Sequence, residues 1–580
     1  MRNGKILNRK FFQFLLPTAL SVMAMSLNEF VDGLLVANLI DSDAMTLVNM
    51  AAPLMNVFAV IYTLLGVGGS TIYAGCLGRH ETDKADKVFS VTMLVASFIA
   101  LLTMLFGFIF IGPLSRCMCG AVEYQAVFED YLRAIIMSGV LIIPIQVIIS
   151  FTPALGCPGK GTFLNITANV VNLIMDYVYI RLFDMGLTGA AFATLSGYAV
   201  GLIIIVLLCL RRKIRLPFTR IKLRDIKLLA EAASVGLPPA TNQVGYCIKI
   251  AFTNALAFSL AGMAGTTVFS VCMQAVSMVS VFIGGVINAV IPIASSLYGQ
   301  RDFSGMKMLM RTAIWIQFII NLLILLIFEL WPQGILAMYN VTGDIVPLAK
   351  TGLRIFSIMF LFRGFVLIYI FYFPVIGRKI YAFVISTIDG FLGLIPLALI
   401  LTKTNGINGL WWAYALLSIM LLLAVLMINL VISVRSRRKY SILLLLEHED
   451  ENVPVYECTL KMRSENISRL AEEIQDFCVG KGVDTTLSAL TAVSVEEMSV
   501  YSSEQSETHK IDFLDILLKI YPEHILIDFR SIGSPFDISA TSEKYSNMEI
   551  LRRIVTDMDY NYVLGMNQTR LICKAASDDQ

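Results

Sequence analysis

The chain has 580 residues, of which 57% are hydrophobic and 15% are charged, whereas about a quarter of the residues of an average soluble protein are charged. Residues 1–440 hold 33 Lys and Arg against 18 Asp and Glu, a net charge of +15, while residues 441–580 hold 12 against 25, a net charge of −13. This division excludes a single soluble domain and indicates a membrane body followed by an acidic soluble domain. The basic surplus lies in short loops between apolar stretches, so we expect no nucleic-acid partner.

Apolar stretches follow each other through the first part of the chain. Each has about 20 residues, enough to cross a bilayer as a helix, and they lie near residues 12–37, 52–76, 89–113, 132–152, 162–181, 187–210, 232–258, 265–292, 312–331, 353–373, 380–402 and 409–434. Basic residues are sparse in the loops of one side, which hold Arg116, Arg181, Lys350 and Lys403. By the positive-inside rule, both ends of the membrane body then face the cytoplasm. We predict an all-α, multi-pass protein of the cytoplasmic (inner) membrane with twelve transmembrane helices.

The first apolar stretch contains two acids, Glu29 and Asp32, about one helical turn apart. Acids inside a bilayer are costly, and they usually line a cavity through which ions or substrates move. We therefore expect Asp32 to take part in ion coupling. Two roles are open for Glu29: attraction of a cationic substrate, or a solvated position at the membrane interface.

The two halves of the membrane body share a pattern of prolines and glycines. Several of these residues recur at a spacing of 221 residues: Pro17 and Pro238, Gly78 and Gly299, and Gly156 and Gly377. The pattern predicts two six-helix repeats, and substrate sites of transporters built from such repeats lie near the middle of the membrane. The predicted domains are an N-terminal lobe, a C-terminal lobe and a cytoplasmic domain, at residues 1–220, 221–440 and 441–580.

The second half carries three charged residues inside apolar stretches, Lys249, Arg363 and Asp389. Charges within a bilayer usually face a partner. Two explanations are open: a structural ion pair of Asp389 with Lys249 or Arg363, or attraction of an anionic or zwitterionic substrate.

Several segments of the membrane body have a distinctive order and spacing: Pro17, Asn28-Glu-Phe-Val-Asp32-Gly-Leu-Leu-Val36, Gly66-Val-Gly-Gly-Ser70, Leu77-Gly78, Ala154-Leu-Gly-Cys-Pro158, Asn172-Leu-Ile-Met-Asp176 and Gly186-Leu-Thr-Gly-Ala-Ala-Phe-Ala-Thr194. On these segments the chain resembles the multidrug and toxic compound extrusion (MATE) family, over about residues 8–435. The resemblance implies two six-helix lobes that export amphipathic or cationic compounds in exchange for protons or sodium ions. It implies a transporter rather than an enzyme.

The resemblance also implies roles for individual residues of the N-terminal lobe. Pro17 matches the proline at which the first helix bends. The predicted ion-coupling residues match the polar network of the family: Asp32, Asn172, Asp176, Thr194 and Tyr131. Two neighbouring acids cannot both ionise comfortably without a cation. One shared proton, or one Na⁺ held by Asp32, Asn172 and Asp176, would satisfy them, and both alternatives stay open.

The predicted substrate cavity involves polar residues of both lobes. Some family members carry a glutamate early in the seventh helix, whereas Asn242-Gln243 stand near that place here. This departure favours an ion site in the N-terminal lobe. The expected cavity residues are Asn28, Glu29, Asn242 and Gln243.

Residues 441–580 alternate strand-like and amphipathic helical segments, a pattern typical of an α/β sandwich. Three segments carry a resemblance to the GHKL-type ATP-binding domain of anti-sigma-factor and histidine kinases: Ser494-Val-Glu-Glu497, Gly533-Ser-Pro-Phe-Asp537 and Asp559-Tyr560…Leu564-Gly565-Met-Asn567. The nucleotide-like remnant consists of Glu497, Gly533 and Asn567.

The residues that nucleotide chemistry requires are incomplete in this domain. Tyr501 stands where the magnesium-binding asparagine is expected, Ser531 stands where the adenine-reading acid is expected, and a glycine pair is missing near Asn547-Met-Glu549. Without these groups the domain cannot stabilise the negative charge of the phosphates, which phosphoryl transfer requires. We expect a degenerate regulatory or protein-interaction module, with weak nucleotide binding and an active kinase as the alternatives.

The sequence therefore predicts a cation-coupled antiporter, embedded in a lipid bilayer, that exports drug-like small molecules. No cofactor is expected other than Na⁺, if that is the coupling ion. An unknown cytoplasmic regulator or a nucleotide is the partner expected at residues 441–580. Two alternatives are a lipid-linked saccharide flippase, which would need a strongly cationic central cavity, and a membrane sensor with a regulatory kinase-like domain.

Overall fold

The computed structural model describes residues 2, 4–40, 42–118, 124–339, 341, 343–446, 453–462, 465–537 and 551–574. Helices form the part of the chain up to residue 435, and a five-stranded sheet with helices follows. We call the helices of residues 5–210 the N-terminal lobe and those of residues 226–435 the C-terminal lobe.

The helices of the N-terminal lobe are mostly long and apolar. They are α1 (Lys5–Leu39), α2 (Ser42–Tyr62), α3 (Gly68–Gly78), α4 (Thr82–Ile109), α5 (Ile111–Met118), α6 (Gln125–Phe151), α7 (Pro158–Tyr177) and α8 (Gly186–Leu210). A turn of π-helix, Thr63–Val67, joins α2 to α3, and another, Val178–Leu182, follows α7. Pro158 is the first residue of α7, a position where its missing N–H leaves no hydrogen bond unmade.

The C-terminal lobe contains the longest helical stretches. Its helices are α9 (Ile226–Gly299), α10 (Phe303–Leu330), α11 (Pro332–Met338), α12 (Val346–Val375), α13 (Lys379–Thr387) and α14 (Leu394–Arg435). Asp302 caps α10, because its carboxylate accepts the backbone N–H of Gly305 at 2.8 Å.

Ten stretches of the described residues are long and apolar enough to cross a membrane. Two of them, Ile226–Gly299 with 74 residues and Lys379–Arg435 with 57 residues, exceed one crossing by far. Gly262 and Gly406 interrupt these stretches with φ values of 58° and 56°, which glycine adopts without steric cost. Each stretch therefore has room for two crossings, and the total of twelve helices remains a prediction.

The two lobes touch backbone to backbone where α3 meets α9. A methyl group added at Gly78 would lie 2.1 Å from the carbonyl oxygen of Ser296, and one added at Gly299 would lie 2.2 Å from that of Gly75. A similar contact, at 2.1 Å, joins Gly68 to Ala232. Because such distances admit no side chain, glycine is required for this closure between the lobes.

The C-terminal domain is an antiparallel sheet with helices on one face. Its strands have the order β1 (Val455–Lys461), β2 (Phe513–Ile520), β3 (Ile525–Ile532), β5 (Met566–Cys573) and β4 (Asp557–Val563). Its helices are α15 (Glu465–Gly480), α16 (Thr485–Glu504) and α17 (Ser506–His509). The apolar core between sheet and helices includes Ile474, Val495, Ile516, Ile527 and Leu571. This arrangement agrees with the α/β pattern read from the sequence.

The opposite face of the sheet carries both charged and apolar side chains and lies on the membrane body. Side chains alternate along a strand, so Asp515, Lys519 and Arg530 point away from the apolar core. They are nevertheless buried, because they contact Arg2, which precedes α1, and the turn between α9 and α10. We call the side of the membrane body that carries this domain the domain side.

Candidate functional site

The acids Asp32 and Asp176 face each other across α1 and α7. Their carboxyl groups lie close enough for a hydrogen bond when one of them carries a proton. Asp176 is fully buried at the end of α7, and Asp32 is partly buried. Packing of α1 against α7 therefore brings together two acids that are 144 positions apart in the sequence.

The other predicted ion-coupling residues surround this acid pair. Asn172 lies one turn before Asp176 on α7, and its amide donates a hydrogen bond to the Thr194 hydroxyl at 3.3 Å. Tyr131, on α6, is buried and lies near both acids. The structure thus gathers all five predicted residues at one place in the N-terminal lobe.

Several oxygens of this cluster are buried without a hydrogen-bond partner among the described residues. They are Oδ1 of Asn28, Asp32 and Asn172 and both Oδ atoms of Asp176. Leaving such an oxygen unpaired costs about 1–3 kcal/mol. A set of oxygen ligands is suited to a hard cation, and a shared proton would pair the two acids. The residues therefore fit either coupling ion.

A polar residue of this cluster, Asn169, was not singled out by sequence reasoning. It lies on α7, three residues before Asn172 and seven before Asp176, so the three side chains share one helix face. Its amide nitrogen is buried without a hydrogen-bond partner within the described part of the chain. The spacing of Asn165, Asn169, Asn172 and Asp176 was the signal that could have identified it.

Pro17 lies inside α1, about 22 Å along the helix from Asp32 at a rise of 1.5 Å per residue. The segment around it is attached to both lobes. Thr162 of α7 donates a hydrogen bond to the Pro17 carbonyl at 2.7 Å, and the Thr18 hydroxyl donates one to the Gly285 carbonyl of α9 at 2.9 Å. Movement of α1 at this point would therefore displace α7 of the N-terminal lobe and α9 of the C-terminal lobe.

A cavity of about 510 Å³ lies between the lobes, a volume that suits a drug-sized molecule. Its wall includes Asn242 and Gln243, as predicted for the substrate cavity, and the apolar residues Met25, Phe360 and Phe371. Asn28 and the acid pair are not among the lining residues. The side chain of Glu29 lies outside the described part of the structure, so its two predicted roles stay open.

The charges of the C-terminal lobe meet at the wall of this cavity. Nη1 of Arg363 lies 3.1 Å and 3.2 Å from the two carboxylate oxygens of Asp389. Nζ of Lys249 lies 3.8 Å from the same carboxylate, which also accepts a hydrogen bond from Asn242 at 2.9 Å. Asp389 therefore contacts both candidate cations. Arg363 is the member of the group that lines the cavity.

The nucleotide-like remnant of the C-terminal domain is occupied by protein side chains. Oδ1 of Asn567 accepts hydrogen bonds from the Phe536 backbone at 3.2 Å and from the Tyr560 hydroxyl at 2.7 Å. The Phe536 ring packs near Tyr501, with the ring centres 6.2 Å apart. Asn567 thus holds the segment after β3, and Tyr501 is part of the same packing.

The two other remnant positions offer little to a nucleotide. A methyl group at Gly533 would lie 2.4 Å from the His509 carbonyl oxygen, so this glycine is required by the packing of the domain itself. Burial, with the charges of Glu496 and Glu504, raises the pKa of Glu497. The segment Asn547-Met-Glu549 lies outside the described residues.

Comparison with known families gives two matches to the MatE family, over residues 17–178 and 238–400, together more than half of the chain. The two matched ranges begin 221 residues apart, which is the spacing of the predicted repeat. The repeat itself stays a prediction.

Two of the known proteins similar to this chain come from bacteria. Multidrug export protein MepA of Staphylococcus aureus (strain MSSA476) is 20% identical over 420 residues, which cover 71% of this chain and 90% of that protein. Probable multidrug resistance protein YoeA of Bacillus subtilis is 22% identical over 361 residues, which cover 60% and 76%.

Solved structures give the same fold. A MOP superfamily transporter from Pyrococcus furiosus has a TM-score of 0.67 at 20% identity, covering 72% of this chain and 94% of that one. An outward-facing multidrug resistance transporter has a TM-score of 0.67 at 20% identity, covering 72% and 93%. At these identities the likeness shows the fold of the membrane body.

Proposed function

Because the chain belongs to the MatE family of membrane transporters, we propose that it exports amphipathic organic compounds and that its acid pair couples export to the entry of H⁺ or Na⁺. The names of its relatives, multidrug export and multidrug resistance proteins, support the first part. The facing carboxyl groups of Asp32 and Asp176 carry the second part. Basic residues in the loops of the domain side lead us to assign that side to the cytoplasm.

Coupling follows from the charge of the acid pair. Two carboxylates in contact repel each other unless a cation lies between them, so the empty pair is a high-energy state. Binding of a proton or Na⁺ from the outside would pull Asp32 towards Asp176 and Asn172. Since α1 is attached to both lobes near Pro17, bending at this proline would change the shape of the cavity and release the exported compound.

We also propose that the C-terminal domain regulates the membrane body rather than acting as a kinase. The sheet face opposite its core contacts the membrane body: Asp515 binds Arg2 before α1, and Arg530 binds Asp302 before α10. Further contacts tie the turn at Gly565 to Lys10 of α1. A domain attached to both lobes would resist any motion that separates them on this side.

The cavity argues against the flippase alternative. That function needs a strongly cationic chamber, whereas Arg363 is the charged residue among the described lining residues. A kinase sensor is disfavoured because the expected magnesium position is Tyr501, which packs against Phe536.

Efflux from proteoliposomes with imposed pH or Na⁺ gradients tests the coupling proposal. Asp32→Asn removes one charge of the pair and keeps its shape, so we expect ion-driven efflux of a fluorescent dye to fall at least about tenfold. The gradient that drives the unchanged protein identifies the coupling ion.

Asp130→Asn is the matched control, because this exposed acid of α6 pairs with Arg133 on the surface. Its efflux should stay near that of the unchanged protein. Full ion-driven efflux by Asp32→Asn, at normal protein level, would contradict the assignment.

A further inference from the structure

The charge of the central cavity differs from that expected for a purely cationic cargo. Among the described residues that line the cavity, Arg363 is the charged side chain. Two described acids of the N-terminal lobe, Asp32 and Asp176, are not part of the lining. A cationic compound would therefore meet a like charge in the cavity.

Asp389 orients the guanidinium of Arg363 and leaves some of its N–H donors available for another ligand. Its Nη1 atom binds both oxygens of Asp389, and Asn242 fixes Asp389 in turn. Within the described part of the chain, Nη2 and Nε of Arg363 make no hydrogen bond. A guanidinium presents its donors in a planar fork that matches two oxygens of a carboxylate.

The charges around Arg363 do not balance. Among the described residues, two cationic side chains, Lys249 and Arg363, share one carboxylate, that of Asp389. Lys249 and Asp389 are almost completely buried, with side chains 5% and 1% exposed, while Arg363 is 11% exposed. The excess positive charge can therefore be reached from the cavity at Arg363. Charge interactions are strong in such a low-dielectric site.

We propose that Arg363 binds an anionic oxygen group, above all a carboxylate, on the compound that this protein exports. The apolar wall, with Met25, Phe360 and Phe371, takes up the rest of the molecule. This inference rests on the proposed export function and narrows its substrate class to amphipathic compounds that carry a carboxylate, zwitterions included. Asp389 acts here as the residue that positions Arg363.

Binding of two matched dyes to the purified full-length chain tests the proposal. Tetramethylrhodamine has a free carboxylate, whereas its methyl ester is larger by one methyl group and is a cation. We expect the acid to bind more tightly than the ester. Arg363→Gln should weaken binding of the acid about tenfold, as expected for a charged hydrogen-bonded pair, and change binding of the ester less than twofold.

Arg354→Gln is the control, because this exposed arginine lies nine residues earlier on α12 and binds Glu329 outside the cavity. Arg363→Lys keeps the charge without the fork, so it should lose part of the affinity and serves if the glutamine variant does not fold. Equal binding of acid and ester by the unchanged chain, or an equal loss of both in Arg363→Gln, would overturn the proposal. These measurements need no ion gradient, so a failure of coupled export would be seen separately.

Discussion

At the level of residues, the candidate site is defined by polar groups that lack a hydrogen-bond partner among the residues that the structure describes. Asp32, Asn172 and Asp176 were recognisable from the sequence, because acids and amides are rare inside apolar stretches. Their mutual distance was not, since it depends on how α1 packs on α7. The unpaired oxygens of these residues are the feature that turns a group of polar side chains into a candidate ion site.

His80 lies in the turn after α3 and contacts the C-terminal domain, so its charge affects how tightly that domain is attached. Nδ1 of His80 lies 2.6 Å from Asp559 and 3.0 Å from the Asn561 amide, with Arg570 and Asp528 also nearby. Burial, together with the positive charge of Arg570, lowers the pKa of His80 from 6.5. Neutral His80 therefore favours the docked state.

The pH dependence follows from this lowered pKa. Above pH 6.5 the docked and the undocked histidine are both neutral, and the stabilisation is fully present. As the pH falls below 6.5, the undocked histidine takes up a proton first, and docking weakens. We expect the melting temperature of the unchanged chain to drop between pH 7.5 and 5.5 by on the order of 1 °C more than that of His80→Gln.

His509→Gln serves as the control for this measurement. The hydrogen-bond and ring partners of His509, Ser534 and Phe536, belong to the C-terminal domain itself. This variant should keep the pH profile of the unchanged chain. If His80→Gln kept it as well, His80 would not be the group responsible.

At the level of elements, the contact of α3 with α9 joins the two lobes on the domain side. The sequence showed that glycines recur at the ends of the apolar stretches. Why glycine is needed there becomes visible only where two helices pack against each other. The backbone of Gly78 lies against the carbonyl of Ser296, and close helix approach of this kind requires small residues. The contact between the lobes thus depends on the absence of a side chain at these glycines, and not on hydrogen bonds or ion pairs between side chains.

Gly78→Ala should open this closure. The added methyl group would lie 2.1 Å from the Ser296 carbonyl oxygen, so one helix must move. We expect a lower melting temperature and a loss of ion-driven efflux of about tenfold, because the two lobes can no longer approach each other this closely on the domain side. Both quantities can be measured on the purified protein and in proteoliposomes.

Gly75→Ala is the matched control on the same helix. The nearest atom to its added methyl group is the Ser295 carbonyl oxygen at 3.6 Å, an ordinary contact. This variant should behave like the unchanged chain. Equal efflux by Gly78→Ala and Gly75→Ala would show that the close contact is unimportant for transport.

At the level of the whole molecule, the C-terminal domain binds both lobes through a buried group of charges. Burial alone would raise the pKa of Asp302, but Arg2 and Arg530 hold this pKa well below its usual range. The carboxylate lies 2.7 Å from Arg2 and 3.0 Å from Arg530. A buried charge left without its partner is strongly destabilising, so the group keeps domain and membrane body together.

Arg530→Met should weaken this attachment and release the membrane body. We expect faster hydrogen–deuterium exchange in residues 300–305 and efflux raised by about twofold or more, because removal of one partner of a buried ion pair costs about 3–5 kcal/mol. Both effects should appear in the same preparation.

Arg469→Met is the control, since this arginine is exposed on α15 and its ion-pair partner among the described residues, Glu473, belongs to the C-terminal domain. It should change neither exchange nor efflux. Faster exchange in Arg530→Met with unchanged efflux would show that the domain is attached but does not restrain transport.

The sequence alone determined that this is a multi-pass membrane protein. Membrane-spanning helices can be recognised from the length and hydrophobicity of each segment, without knowledge of what the segment packs against. The sequence also marked Asp32, Asp176 and the charges of the second half, since such residues are costly in a bilayer. Only the tertiary structure decided which of them meet: Asp32 faces Asp176, whereas Arg363 lines the cavity with Asp389 behind it.

The position of the C-terminal domain was likewise invisible in the sequence. Its contacts join Arg2, Asp302 and Arg530, which are hundreds of residues apart and carry no local pattern. Such pairs form because the packing of the whole fold brings their residues together. A short sequence segment therefore does not predict them.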